Sequence, residues 1–246
     1  MEYYHRAIAC NPNFAQPLNN LGVLYTMAGQ AQLALEALQR AVTVAPTYAV
    51  AHNNLGVLLR DTGDIEYAFT SYRDCVRHSP NDRHAEQNYL LALNYVRSGE
   101  DTEVCEAHSA WGNRFAKLAG PPLKPRRAIK SDSGAGTPGR RRLVIGYVSP
   151  DMYTHSVSYF AHAPLRSHDK SSVKCIVYNV SKFNDAQTKR LQKSTLESGG
   201  EWRDCATLNE RELAECIRGD SVDILIELTG HTANNRLETL ALEPAP

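Results

Sequence analysis

Two short polar stretches hold the residue types that could do chemistry. SPDMYTHS, residues 149–156, places Asp151 and His155 four positions apart. TGHTANNR, residues 229–236, holds Gly230, His231, Thr232, Asn234 and Asn235, and follows an apolar run that contains Glu227. An imidazole titrates near neutral pH and suits proton transfer, and a nearby carboxylate can orient it. The plainer alternative is that His155 is a loop residue capping the next helix. A metal centre fits less well, because His155, His162 and His168 lack an i,i+4 pairing and a clear carboxylate partner.

These stretches must be positioned by the elements around them. LVIGYV (143–148), VKCIVYNV (173–180) and VDILIEL (222–228) are short runs rich in β-branched residues. Helix-like segments at 157–165, 186–196 and 210–217 alternate with them, and a further helix starts at Arg236. Such alternation implies a parallel sheet with helices on its faces, and near-continuous apolar strands imply that both faces are covered. Ligands of such sheets sit outside the carboxyl ends of the strands. That rule brings Asp151, His155, Glu227, His231, Asn234 and Asn235 to one crevice, in an α/β domain that begins at Leu143.

The first half is different. LNNLGVLYTMAGQAQLALEALQRAVTVAP and HNNLGVLLRDTGDIEYAFTSYRDCVRHSP are one unit repeated 34 residues apart. Leu21 matches Leu55, Gly22 matches Gly56, Ala34 matches Ala68 and Pro46 matches Pro80. This is the tetratricopeptide pattern of paired helices. Gly22 and Gly56 permit close approach within a pair, Gly29 and Gly63 suit left-handed turns, and the prolines stop the second helix. Tyr4, Ala7 and Pro12 fit the second helix of an earlier repeat, and residues 83–118 give a degenerate closing pair. Asn20, Asn54 and Asn88 recur in register and are expected to face the concave groove. There, amide donors and acceptors can hold an extended peptide without reading its sequence. The alternative is that asparagine is simply tolerated on a solvated face.

Composition narrows the function. Charged residues make up 22% and hydrophobic ones 42%, so a packed core is expected. The 27 basic residues balance 27 acidic ones, which argues against a whole-chain nucleic-acid binder. Six cysteines without a CxxC pair suggest reduced thiols. The amino terminus lacks the apolar core of a signal peptide, and no run approaches the ~20 apolar residues of a membrane helix. Residues 120–142 read as a basic, Pro/Gly-rich linker. Its formal GxGxxG, residues 134–139, is rejected as a dinucleotide site because no strand precedes it and a proline interrupts it. Arg126-Arg127 and Arg140-Arg141-Arg142 read as solvated linker charges, with a nuclear-import signal or phosphate contact as the alternative.

The repeats with NNLGVLY, then GYVSPDMYTHSVSYF, then DILIELTGHTANNRL and EPAP, together resemble the SPINDLY-type protein O-glycosyltransferases of plants, within the family of nucleocytoplasmic O-linked N-acetylglucosamine transferases. The resemblance covers nearly the whole chain except the linker. It implies a tetratricopeptide solenoid (1–119), the linker (120–142) and the first, Rossmann-like lobe (143–246) of a two-lobed catalytic domain. It implies an inverting, metal-independent transfer of fucose from GDP-fucose, or N-acetylglucosamine from UDP-N-acetylglucosamine, to Ser or Thr of nuclear and cytosolic proteins. The nucleotide sugar is a substrate, no cofactor is implied, and the solenoid presents the acceptor and can pair two copies of the full-length protein. Gibberellin signalling is the implied setting. His155 falls on the family's active-site histidine, as base or positioning group. Glu227 and the Gly230-His231-Thr232 turn fall on a second loop facing the same cleft. The family pattern continues into a second lobe past Pro246, so the chain is expected to be a truncated part that binds donor weakly and transfers nothing alone. The competing expectation is a non-catalytic, peptide-binding repeat adaptor.

Overall fold

The computed structural model describes residues 1–80, 82–96, 101–123 and 141–246. The bulk of the linker, with its GxGxxG and Arg126-Arg127, lies outside the described residues. The chain forms two compact units, Met1–His108 and Ser109–Pro246.

The first unit is helical: α1 (Glu2–Cys10), α2 (Ala15–Met27), α3 (Ala31–Val44), α4 (Ala49–Asp61), α5 (Ile65–His78), α6 (Arg83–Leu93) and the start of α7 (Asp101–Ala119). Glycine makes the pairing of α2 with α3 and of α4 with α5 close. A Cβ on Gly22 would lie 2.4 Å from Leu38 Cγ, and one on Gly56 would lie 2.6 Å from Tyr72 Cε1. Ala34, Ala68, Leu38 and Tyr72 are buried at the same seams. Gly29 (φ 71°) and Gly63 (φ 92°) take the left-handed conformation that ends the first helix of each pair. The second helices stop at Val44 and His78, two residues before Pro46 and Pro80.

The second unit contains β1 (Leu143–Ser149), α8 (Ser156–Ser167), β2 (Val173–Asn179), α9 (Ala186–Glu197), β3 (Glu201–Asp204), α10 (Glu210–Gly219), β4 (Ile224–Glu227) and α11 (Leu237–Ala241). All pairings are parallel and the strand order is β3-β2-β1-β4. Alternation along the strands feeds two cores. Ile145, Tyr147, Cys175 and Val177 pack with Ala161, Leu165 and Leu191 of α8 and α9. Val148, Ile176 and Tyr178 pack with Leu213 and Ile217 of α10 on the other face. The chain winds outward from β1 to β3 on one face, then returns across the other to β4. The order therefore reverses between β1 and β4.

Two features differ from the sequence expectation. β3, Glu-Trp-Arg-Asp, carries no apolar run; it is an edge strand bonded only to β2, with Arg203 paired to Asp220 at 2.9 Å. Charge on an edge strand blunts stray pairing and also hides the strand from an apolar pattern. The division between units falls inside α7 rather than at its end. From Ser109 onward α7 belongs with the sheet: Trp111 and Phe115 are buried, and the Trp111 ring meets His231 edge-on at 4.7 Å.

Candidate functional site

The loops after β1 and β4 emerge side by side where the strand order reverses, the position at which open parallel sheets bind ligands. Leu228 N donates to Val148 O, and Ser149 Oγ lies 3.5 Å from Thr229 Oγ1, tying the two loop bases together. Asp151 N donates to the same Ser149 Oγ at 3.0 Å. A cavity of about 220 Å³ opens here. Pro150, Asp151 and Tyr153 line it from the first loop, Val180, Ser181, Lys182 and Phe183 from the loop after β2, and Asn234 from the loop after β4.

Asp151 Oδ2 and His155 Nδ1 stand 3.8 Å apart, with the carboxylate side chain 14% exposed and the imidazole 40% exposed. Burial raises the Asp151 carboxyl above its usual range, and His155 pulls it back. His155 also caps α8, its Nδ1 accepting from Val157 N at 3.3 Å. The capping reading and the chemical reading therefore meet on one nitrogen. While Nδ1 accepts from Val157, the neutral ring carries its proton on Nε2 and is a donor there. With the proton on Nδ1, directed to Asp151, Nε2 becomes the base. The loop itself is anchored from outside. Thr154 N and Oγ1 both donate to Asp185 Oδ2, at 2.9 and 2.5 Å, and Asp185 is also the N-cap of α9 in a capping box with Thr188. These bonds hold the Asp185 carboxyl well below the usual range, the Thr154 hydroxyl contributing most.

The other residues of the second loop turn inward. Glu227 Oε2 accepts from Thr229 N (2.9 Å) and Gly230 N (2.7 Å), closing the turn, while Oε1 is buried and makes no hydrogen bond. Burial raises the Glu227 carboxyl, and donors led by the Gly230 and Thr229 amides oppose it. Gly230 (φ 60°) and Asn234 (φ 62°) are left-handed. Thr232 Oγ1 donates to Thr229 O, and buried Asn235 donates to Thr232 O and accepts from Leu237 N. His231 packs on Trp111. Asp151 and Asn234 thus share the cavity wall, His155 is not among the lining residues but pairs with Asp151, and Glu227, His231, Thr232 and Asn235 shape the loop. Sequence reasoning missed Tyr153, Lys182 and Phe183. The Tyr153 ring lies tilted against Phe183, with centroids 4.8 Å apart, and against His155 at 5.8 Å. SKFND follows a strand directly, and the rule that singled out the other two loops applies to it equally.

In the first unit the asparagines form rungs. Asn54 Nδ2 donates to Asn19 Oδ1 (2.8 Å), joining α4 to α2, and Asn88 Nδ2 donates to Asn53 Oδ1 (2.9 Å), joining α6 to α4. Asn19 Nδ2 donates in turn to Asn20 Oδ1 at 3.2 Å. The partners Asn19 and Asn53 also recur at the repeat spacing, a signal that was present in NNLG.

Helical repeats followed by a parallel α/β lobe with a polar cleft at its switch point define a repeat-bearing protein with a Rossmann-type ligand lobe. Residues 128–246 match the model of glycosyl transferase family 41, and residues 3–36 and 49–82 match tetratricopeptide repeat models. The chain is 48% identical over 175 residues to a rice protein, and 47% identical over 167 residues to one from Solanum lycopersicum. Both are named probable UDP-N-acetylglucosamine–peptide N-acetylglucosaminyltransferase SPINDLY. The alignments cover 71% and 68% of this chain but 18% and 17% of those relatives. The structure of a Thermobaculum terrenum O-GlcNAc transferase mutant superposes with a TM-score of 0.72 at 30% identity, over 99% of this chain and 44% of that one. The chain belongs to glycosyl transferase family 41, on its SPINDLY branch, with tetratricopeptide repeats ahead of the transferase segment.

Proposed function

We propose that the protein serves in O-glycosylation of proteins in the nucleus and cytoplasm. A Ser or Thr hydroxyl of the acceptor attacks the anomeric carbon of a nucleotide sugar. His155 Nε2 takes the hydroxyl proton, with Asp151 holding Nδ1–H, and the nucleoside diphosphate leaves with inversion and without a metal. In this reading the asparagine rungs hold the acceptor chain and gibberellin signalling is one setting. The observation that carries the reading is the Asp151–His155 pair at the switch-point cleft, 3.8 Å apart, inside the segment matched to family 41. The relatives' names carry UDP-N-acetylglucosamine as donor, the SPINDLY-type resemblance carries GDP-fucose, and the loops of this lobe do not choose between them.

The test is to purify the native protein from its source cells with an antibody against residues 143–246. It is then incubated with a Ser/Thr-containing acceptor protein and each donor in turn, and the product is read by mass spectrometry. Transfer is expected from one donor, whose sugar the added mass identifies, and it is lost in His155→Ala. Binding of the acceptor with no transfer from either donor would favour the second reading, a peptide-binding adaptor, for which the asparagine rungs suffice.

A further inference from the structure

The second unit also has a concavity away from the switch-point cleft. It holds about 430 Å³ and lies between α8 and α9, lined by His162, Arg166, Lys170, Arg190, Lys193 and Glu197 together with two serines. In a parallel sheet each helix leaves from the carboxyl end of one strand and finishes near the amino end of the next. Arg166 is in the last turn of α8, Lys170 is in the loop entering β2, and Lys193 and Glu197 close α9. The concavity is therefore at the opposite edge of the sheet from Asp151 and His155.

We infer that this concavity is a binding site for a small molecule bearing two or more phosphate groups. Four permanent cations converge on it against one carboxylate, in a chain whose formal net charge is zero. The carboxylate neutralises little: Glu197 reaches Lys193 only at 3.8 Å, between side chains 66% and 76% exposed. Among the described residues Arg166 and Arg190 have no ion pair or hydrogen bond, so both guanidinium forks are available for bidentate contact with phosphate. A cation at the end of α8 has a local reason in the helix dipole, but Arg190 in the middle of α9 does not.

The frame that spaces the cations is fixed. The single Ser198 hydroxyl proton is within reach of Thr195 O of α9 (2.7 Å) and Leu165 O of α8 (3.0 Å), and Lys170 Nζ donates to Glu197 O at 2.8 Å. Shape and lining then choose among anions. A volume of this size falls in the range of small-ligand sites, whereas nucleic acid or a membrane would call for a flat or elongated basic face. Apart from one histidine the wall offers no ring for a nucleobase to stack on, and every side chain that lines it carries a polar or charged group. The ligand class is a polyphosphorylated polyol or an inorganic polyphosphate rather than a nucleotide.

The test is calorimetric titration of the whole chain with inositol hexakisphosphate at physiological salt, repeated with UDP. Saturable one-to-one binding of the hexakisphosphate is expected, with UDP at least tenfold weaker at this site. Arg166→Ser with Arg190→Ser should weaken binding tenfold or more, whereas Lys189→Ser, an exposed cation on the same helix outside the concavity, should change it less than threefold. All three side chains are exposed, and an unchanged melting temperature confirms that each variant is folded. Absence of saturable binding, or an equal loss in the Lys189 variant, would overturn the site and mean a diffuse charge effect. Equal affinity for UDP would overturn the assigned ligand class.

Discussion

Nδ1 of His155 has two claims on it, the amide of Val157 and the carboxylate of Asp151, and it cannot serve both in one tautomer. If His155 is the proton acceptor in sugar transfer, Asp151 acts by selecting the tautomer that leaves Nε2 free. Asp151→Asn keeps the size and removes the charge, so turnover should fall roughly 10- to 100-fold while KM for the donor changes little. The melting temperature should hold or rise slightly, because burial of the Asp151 carboxylate costs more than His155, 3.8 Å away, returns. The acid limb of the rate profile should also move. Burial raises the Asp151 carboxyl, so the wild-type limb should stand above the ordinary aspartate value of about 4, and it should disappear in the variant. An unaltered pH profile in the variant would remove Asp151 from the chemistry. Both residues were legible in SPDMYTHS because strand-loop-helix order alone places them at a carboxyl edge. The inward turn of Glu227 was not, since it depends on Thr229 and Gly230 presenting their amides to one oxygen.

At the scale of elements, close helix pairing and loop anchoring make separate predictions. Gly56 has no room for a methyl group, since its Cβ would meet Tyr72 Cε1 at 2.6 Å and Tyr72 is fully buried. Gly56→Ala should cost about 1–3 kcal/mol in urea unfolding. Gly29→Ala meets nothing within 4 Å and should cost only the left-handed backbone strain, about 1 kcal/mol. Equal effects at the two sites would refute the close-packing account. Asp185 links α9 to the His155 loop through Thr154. Its folded pKa is depressed, so the stability it lends is present above the unfolded value of about 4 and is lost as pH falls below it. Asp185→Ala should therefore lower the melting temperature at pH 7 and flatten the acid decline. It should also speed hydrogen exchange across residues 150–157, and no change in exchange there would disconnect Asp185 from the loop. The helix pairs were readable from the repeat because Gly, Ala and Pro mark geometry directly. β3 was not, because it holds its place by main-chain bonds to β2 and by ion pairs, and neither leaves an apolar period.

For the whole molecule the question is whether acceptor recognition and chemistry reside in different parts of the chain. The rungs Asn54–Asn19 and Asn88–Asn53 fix amide rotamers on successive first helices of the repeats. Each rung leaves one carbonyl and further N–H groups for a guest backbone. If the rungs hold the acceptor as proposed, a long acceptor that lies along several repeats gains from every rung, whereas a short peptide gains from none. The triple variant Asn20→Ala, Asn54→Ala, Asn88→Ala should therefore raise KM for a protein acceptor on the order of tenfold. It should leave transfer to a short Ser/Thr peptide within twofold. Asp151→Asn should depress both substrates alike, because it acts where the hydroxyl reacts. Losing the rungs also leaves Asn19 and Asn53 without their donors, so the melting temperature of the triple variant must be measured beside its kinetics. If peptide and protein acceptors lose equally with the fold intact, the rungs serve only to join helices, and recognition must come from the cleft.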